Sequence, residues 1–149
     1  MIYNQIESFF DSPEGMEKLL VEFTPAFQKI EEYSRLLKNG ILDNGMECTK
    51  ALSELTGIYL ELKPVAVIAE TIKSTEELRV YTRRKEEIEM TDAKFTSAAV
   101  EREASLAVAS YRRIRNIFEA YLEASERGIQ SVQSVLKFLT TKITSKIDE

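Results

Sequence analysis

Residues 93–139 read AKFTSAAVEREASLAVASYRRIRNIFEAYLEASERGIQSVQSVLKFL, 47 residues with no proline and a single glycine, Gly128. Alternating steps of four and three from Ala93 reach Ser97, Val100, Ala104, Ala107, Tyr111, Ile114, Phe118, Tyr121, Ser125, Gly128, Val132, Val135 and Leu139. Eleven of these fourteen positions are apolar or aromatic, and the exceptions, Ser97, Ser125 and Gly128, are small. That is a heptad seam. Ile117, Leu122, Ile129 and Leu136 widen it toward one flank, as a bundle helix requires. A single helix of this length would span about 70 Å, against roughly 30 Å for a small domain. Apolar surface beyond the domain would need a partner. The seam therefore predicts a homo-oligomer interface at Val100, Ala104, Ala107, Tyr111, Ile114, Phe118, Tyr121, Val132, Val135 and Leu139. The alternative is a helix that breaks near Ser125–Gly128 and folds back.

Upstream, the pattern is helical as well. Ser12 suits a cap, Pro13 the first helical position and Glu14 the positive end of the helix dipole. Met16, Leu19, Leu20, Phe23, Phe27 and Ile30 then recur at helical spacing, continuing through Tyr33 to the stop at Asn39-Gly40. Pro25 should kink this helix or restart it with Thr24 as cap. After the turn Asp43-Asn44-Gly45, a second helix runs from Met46 to Lys63, and Pro64 predicts a break or bend. Val65–Ile68 fits a helix or a short strand, with helix favoured by its polar neighbours. Thr91-Asp92 suits the cap of the long helix. At the start, Ile2, Ile6, Phe9 and Phe10 share one helical face that either covers the core or docks on a neighbouring subunit. The expectation is an all-α helical bundle with a long C-terminal coiled-coil-like helix. It forms one domain over 1–149: N-terminal helices about 12–62, a basic segment 65–90 and the long helix 92–139.

Composition removes whole classes of chemistry. The chain of 149 residues has no His, no Trp, one Cys and a net charge of −5. Without His there is no Ser-His-Asp triad, no Cys-His pair and no His-based zinc site. A single Cys cannot form an intramolecular disulfide, and Cys48 reads as a structural thiol. The first residues lack a basic n-region, and no apolar run is long enough to span a bilayer. A soluble cytoplasmic protein, with no membrane partner, is the expectation. Ser12 and Thr91 read as caps, and the acidic cluster Glu86, Glu87 and Glu89 as a solvated face more than a metal site. No enzyme, metal or cofactor is expected.

Charge is uneven. Residues 1–70 carry 6 cations and 12 carboxylates, whereas residues 71–149 carry 14 and 13. Arg79-Val-Tyr-Thr-Arg-Arg-Lys85 places four cations around Tyr81, and Tyr111-Arg-Arg-Ile-Arg115 places three beside Tyr111. Arg neutralises phosphate and Tyr stacks on an unpaired base, so the combination suits single-stranded nucleic acid. The same residues also fit a charged helix face, since Arg83 with Glu87, Lys85 with Glu89 and Arg115 with Glu119 have i,i+4 spacing.

Three phrases in order, Arg79–Lys85, Met90-Thr-Asp-Ala-Lys94 and Leu122–Leu139, give residues 73–139 a resemblance to the UvsY-like phage recombination-mediator family. The resemblance implies a small helical protein that assembles into a ring, binds single-stranded DNA and loads a RecA-like recombinase against single-strand-binding protein. It implies DNA contacts at Lys73, Arg79, Tyr81, Arg83 and Arg84. The residues themselves add Lys85, Arg112, Arg113 and Arg115 as candidates. If the source is a phage, the site of action is the bacterial host cytoplasm. The rival expectation is a helical self-assembling adaptor, or a phage inhibitor, that binds a protein and no nucleic acid.

Overall fold

The Ser12 hydroxyl accepts a hydrogen bond from the Gly15 amide at 3.0 Å and so starts a helix at Pro13, where the sequence places it. The computed structural model describes residues 3–40, 42–91, 94 and 96–147. Among these the elements are α1 (Tyr3–Ser8), a 3-10 turn (Phe9–Asp11), α2 (Pro13–Lys38), α3 (Gly45–Met90), α4 (Ser97–Ala107) and α5 (Ala109–Ile147). The described residues contain no strand, and Val65–Ile68 is helical. The fold is all-α, with a long C-terminal helix. Ile2, Asp92 and Ala93, which carried part of the expectation, lie outside the described residues.

Several boundaries differ from the sequence reading. Pro25 and Pro64 neither restart nor end their helices; α2 and α3 run through them. A proline interior to a helix loses one amide bond and crowds the preceding turn. Burial on both flanks offsets this: Phe23 and Phe27 are buried around Pro25, as are Leu62 and Val65 around Pro64. The long helix is broken, at Val108 rather than near Ser125–Gly128. Arg112 Nη2 donates to the carbonyl and hydroxyl of Ser105, at 3.2 and 2.7 Å. That carbonyl is the one an unbroken helix would offer to residue 109. Thr91 closes α3 instead of capping the next helix, because its hydroxyl donates to the carbonyls of Glu87 and Ile88.

The chain forms two compact units, residues 1–20 with 65–118, and residues 21–64 with 119–149. In the first, Ile6, Phe10, Met16, Leu19, Val65, Ile68, Val100, Ala104, Val108, Ile114 and Phe118 are buried. The N-terminal face is thus covered within its own unit, with Phe10 against Tyr111 at 6.4 Å between ring centroids. Glu70 meets Arg115, Glu77 meets Arg112 and Arg84 meets Glu103, so α3 is antiparallel to the α4–α5 segment here. In the second unit, Phe27 stacks on Tyr121 with centroids 4.1 Å apart, and the Tyr121 hydroxyl donates to Glu31 at 2.6 Å. The Tyr33 hydroxyl donates to Glu54, which holds that carboxyl below its ordinary range. Gly128 lies so close to Leu55 that an added Cβ would sit 3.2 Å from Leu55 Cδ1. Buried Ser125 turns its hydroxyl to the Leu122 carbonyl at 2.7 Å. Gly128 thus marks a close approach of α3 and α5.

The seam is therefore covered within one chain. Val100, Ala104, Ile114, Phe118 and Val132 are all no more than 1% exposed. Tyr111, Tyr121, Val135 and Leu139 are half-buried, and Ala107 is exposed because the break passes its place to Val108. The five buried side chains are not a free face for a second copy.

Two glycines test the packing in opposite directions. A Cβ on Gly15 would collide with the Phe9 carbonyl, whereas one on Gly57, inside α3, would meet nothing. Gly15→Ala should destabilise by about 1–3 kcal/mol through overpacking. Gly57→Ala should stabilise by about 0.5–1 kcal/mol through helix propensity. Urea unfolding of both variants measures this, and shifts of the same sign would contradict the packing.

Candidate nucleic-acid interface

α3 presents the predicted basic segment on its C-terminal half, and α5 presents Arg112, Arg113 and Arg115 on its first turns. Each of the eight cations among the predicted contacts has a carboxylate partner. Lys73 Nζ lies 3.0 Å from Glu70, and its side chain is only 13% exposed. Arg79 meets Glu76 at 2.7 Å. Arg83 and Lys85 meet Glu87 and Glu89, both at 3.9 Å and at the expected i,i+4 spacing. Arg84 bridges Glu87 and Glu103 at 2.9 and 2.8 Å. Arg112 lies 3.6 Å from Glu77, Arg113 lies 2.8 Å from Glu17, and Arg115 Nε lies 3.0 Å from Glu70. Tyr81 is half-buried.

The electrostatic consequence is cancellation. Residues 70–90 contain five cations and six carboxylates. The pairs of Arg79, Arg83, Arg84 and Lys85 are exposed, and such pairs contribute only about 0–1 kcal/mol each. These side chains can swing to another anion at little cost, yet the carboxylates stay behind within a Debye length of it. Arg79 and Tyr111 also line a cleft of about 590 Å³ whose walls carry Glu7, Asp11 and Glu76. Three carboxylates around one Arg disfavour phosphate there. Glu86, Glu87 and Glu89 lie on an exposed face, and among the described residues no cluster of His, Cys, Asp or Glu is arranged to hold a metal ion. Cys48 is fully buried, which pushes its thiol pKa up and keeps it a thiol.

The sequence reading passed over the end of α5. Lys137, Lys142 and Lys146 are exposed and make no ion pair among the described residues. Phe138 beside them is 66% exposed. The available signal was the absence of any carboxylate between Glu126 and Asp148. A search for bunched cations misses it, because these lysines are spread along the helix.

No family model, curated protein or solved structure matches the chain. No described helix is long and apolar enough to cross a membrane.

Glu70 joins two half-buried cations and offers a pH test. The hydrogen bond from Lys73, with that of Ser74 and the charges of Lys73 and Arg115, holds its carboxyl below the ordinary range despite partial burial. A lowered folded pKa gives stability that is complete above the unfolded value of about 4.3 and is lost as pH falls through the folded value. Glu70→Gln should cost about 1 kcal/mol at neutral pH, with the difference from wild type closing toward about pH 3. Denaturant midpoints at the two pH values report it; a constant difference would mean that the charge of Glu70 contributes nothing.

Proposed function

We propose that this chain is a binding protein, not an enzyme, that holds single-stranded nucleic acid in the manner of a UvsY-like recombination mediator. In this role it loads a RecA-like recombinase against single-strand-binding protein, in the cytoplasm of a bacterial host. The observation that carries the reading is a helical scaffold whose exposed cations lie beside aromatic rings: Arg79, Arg83, Arg84 and Lys85 near Tyr81, and Lys137, Lys142 and Lys146 near Phe138. Both groups have the makeup of a surface that follows a sugar-phosphate backbone and stacks bases without reading their order. Cancelled charge on α3 makes a single contact weak. Homo-oligomerisation belongs to the proposal for that reason, because several copies on one strand multiply weak contacts. Because Val100, Ala104, Ile114, Phe118 and Val132 are buried within the chain, such an assembly would draw on exposed and half-buried faces.

A second reading is favoured by the pairing of all eight predicted cations: an adaptor or inhibitor that binds a protein and no nucleic acid. Fluorescence anisotropy of a labelled oligothymidine separates the two. Wild-type protein should retain the strand at tens of micromolar in about 50 mM salt and release it as salt approaches about 200 mM. Absence of retention at the lower salt would discard the mediator in favour of the adaptor.

A further inference from the structure

We infer that the C-terminal end of α5 is the first nucleic-acid contact of this chain, with Phe138 as the stacking platform and Lys137, Lys142 and Lys146 as the phosphate contacts. The inference rests on the reading above that the chain binds single-stranded nucleic acid. Along α5 the packing runs out while the helix continues. Val132 is buried, Val135, Leu136 and Leu139 are half-buried, and every side chain from Thr140 to Lys146 is exposed. Phe138, Lys142 and Lys146 follow at i, i+4 and i+8 and share one side of the helix. Lys137 stands next to the ring, and successive lysines lie about 6–8 Å apart along the axis.

Three features select a nucleic acid as the occupant. Among the described residues these cations make no ion pair, unlike those on α3; the preceding Arg127 is held by Glu123, and no carboxylate lies between Glu126 and Asp148. Among the described residues Phe138 makes no ring contact, and its exposed ring is of the kind on which any base can stack. The surface is too polar for a bilayer. Among its described side chains Phe138 and Ile143 are the only large exposed apolar ones, and Thr140, Thr141, Thr144 and Ser145 lie among them. The hydroxyls of those four residues donate to backbone carbonyls one turn back, so the lysines carry the contact to phosphate.

Full-length protein is titrated against a labelled oligothymidine at several salt concentrations, with vesicles of phosphatidylglycerol as a parallel probe. The combined variant Lys137→Gln, Lys142→Gln and Lys146→Gln should bind at least about tenfold more weakly, with a salt slope smaller by about 2 for three lost phosphate contacts. Phe138→Ala should weaken binding by roughly tenfold and leave the slope unchanged. Arg79→Gln with Arg83→Gln should weaken binding by less than the lysine variant does, because each of those side chains is already shared with a carboxylate. All variants change exposed residues and should keep wild-type helicity by circular dichroism. Tail variants that bind like wild type, while the Arg79 and Arg83 variant fails, would overturn the assignment and leave nucleic-acid binding standing. A wild-type protein that ignores the strand would overturn both, and one that retains vesicles instead would identify the tail as a membrane contact.

Discussion

Glu70 with Arg115, Glu77 with Arg112 and Arg84 with Glu103 are the interactions on which the first unit's arrangement depends. The apolar side chains between these helices include several alanines, which pack nearly as well one turn out of place. Charges at set intervals on both helices do not. A slip of one turn would set these carboxylates and cations against the wrong neighbours, so the pairs specify register even where each adds little stability. Arg112 also takes up the Ser105 carbonyl beside the break at Val108, where Val108 itself is buried in the core.

The same pairs set what the surface can do. A guanidinium that fixes register is compensated where it stands, so the cations most conspicuous in the sequence are the least available to an outside anion. Among the described residues the lysines of the α5 end are held in no such pair. Availability here follows from what each charge already does for the fold, and much less from how densely charges are bunched along the chain.

Much of this architecture was legible beforehand. The Ser12 cap, the stop at Gly40 with its positive φ of 65° and the helical period of all long segments are local signals, and each appears where the sequence puts it. The break at Val108 was not legible, since the seam's apolar period runs through it unchanged and the contact beside it, Arg112 reaching back seven residues to Ser105, is not a helical-spacing pair. Continuity through Pro64 depends on burial on both sides, which periodicity does not weigh. The seam itself was read correctly as apolar, yet a heptad pattern is the same whether its partner is another helix of the chain or another chain. At the candidate site, the pairs of Arg83 and Lys85 follow from i,i+4 spacing. Those of Arg84 with Glu103 and of Arg113 with Glu17 required the fold.

Cys48 has a practical consequence. It is the single thiol of the chain and has no exposed surface in the second unit. An alkylating reagent therefore reaches it only when that unit opens, and burial raises the thiol pKa, which slows reaction further. Its labelling rate is a built-in clock for opening of the helices that surround it, read without introducing any probe into the protein.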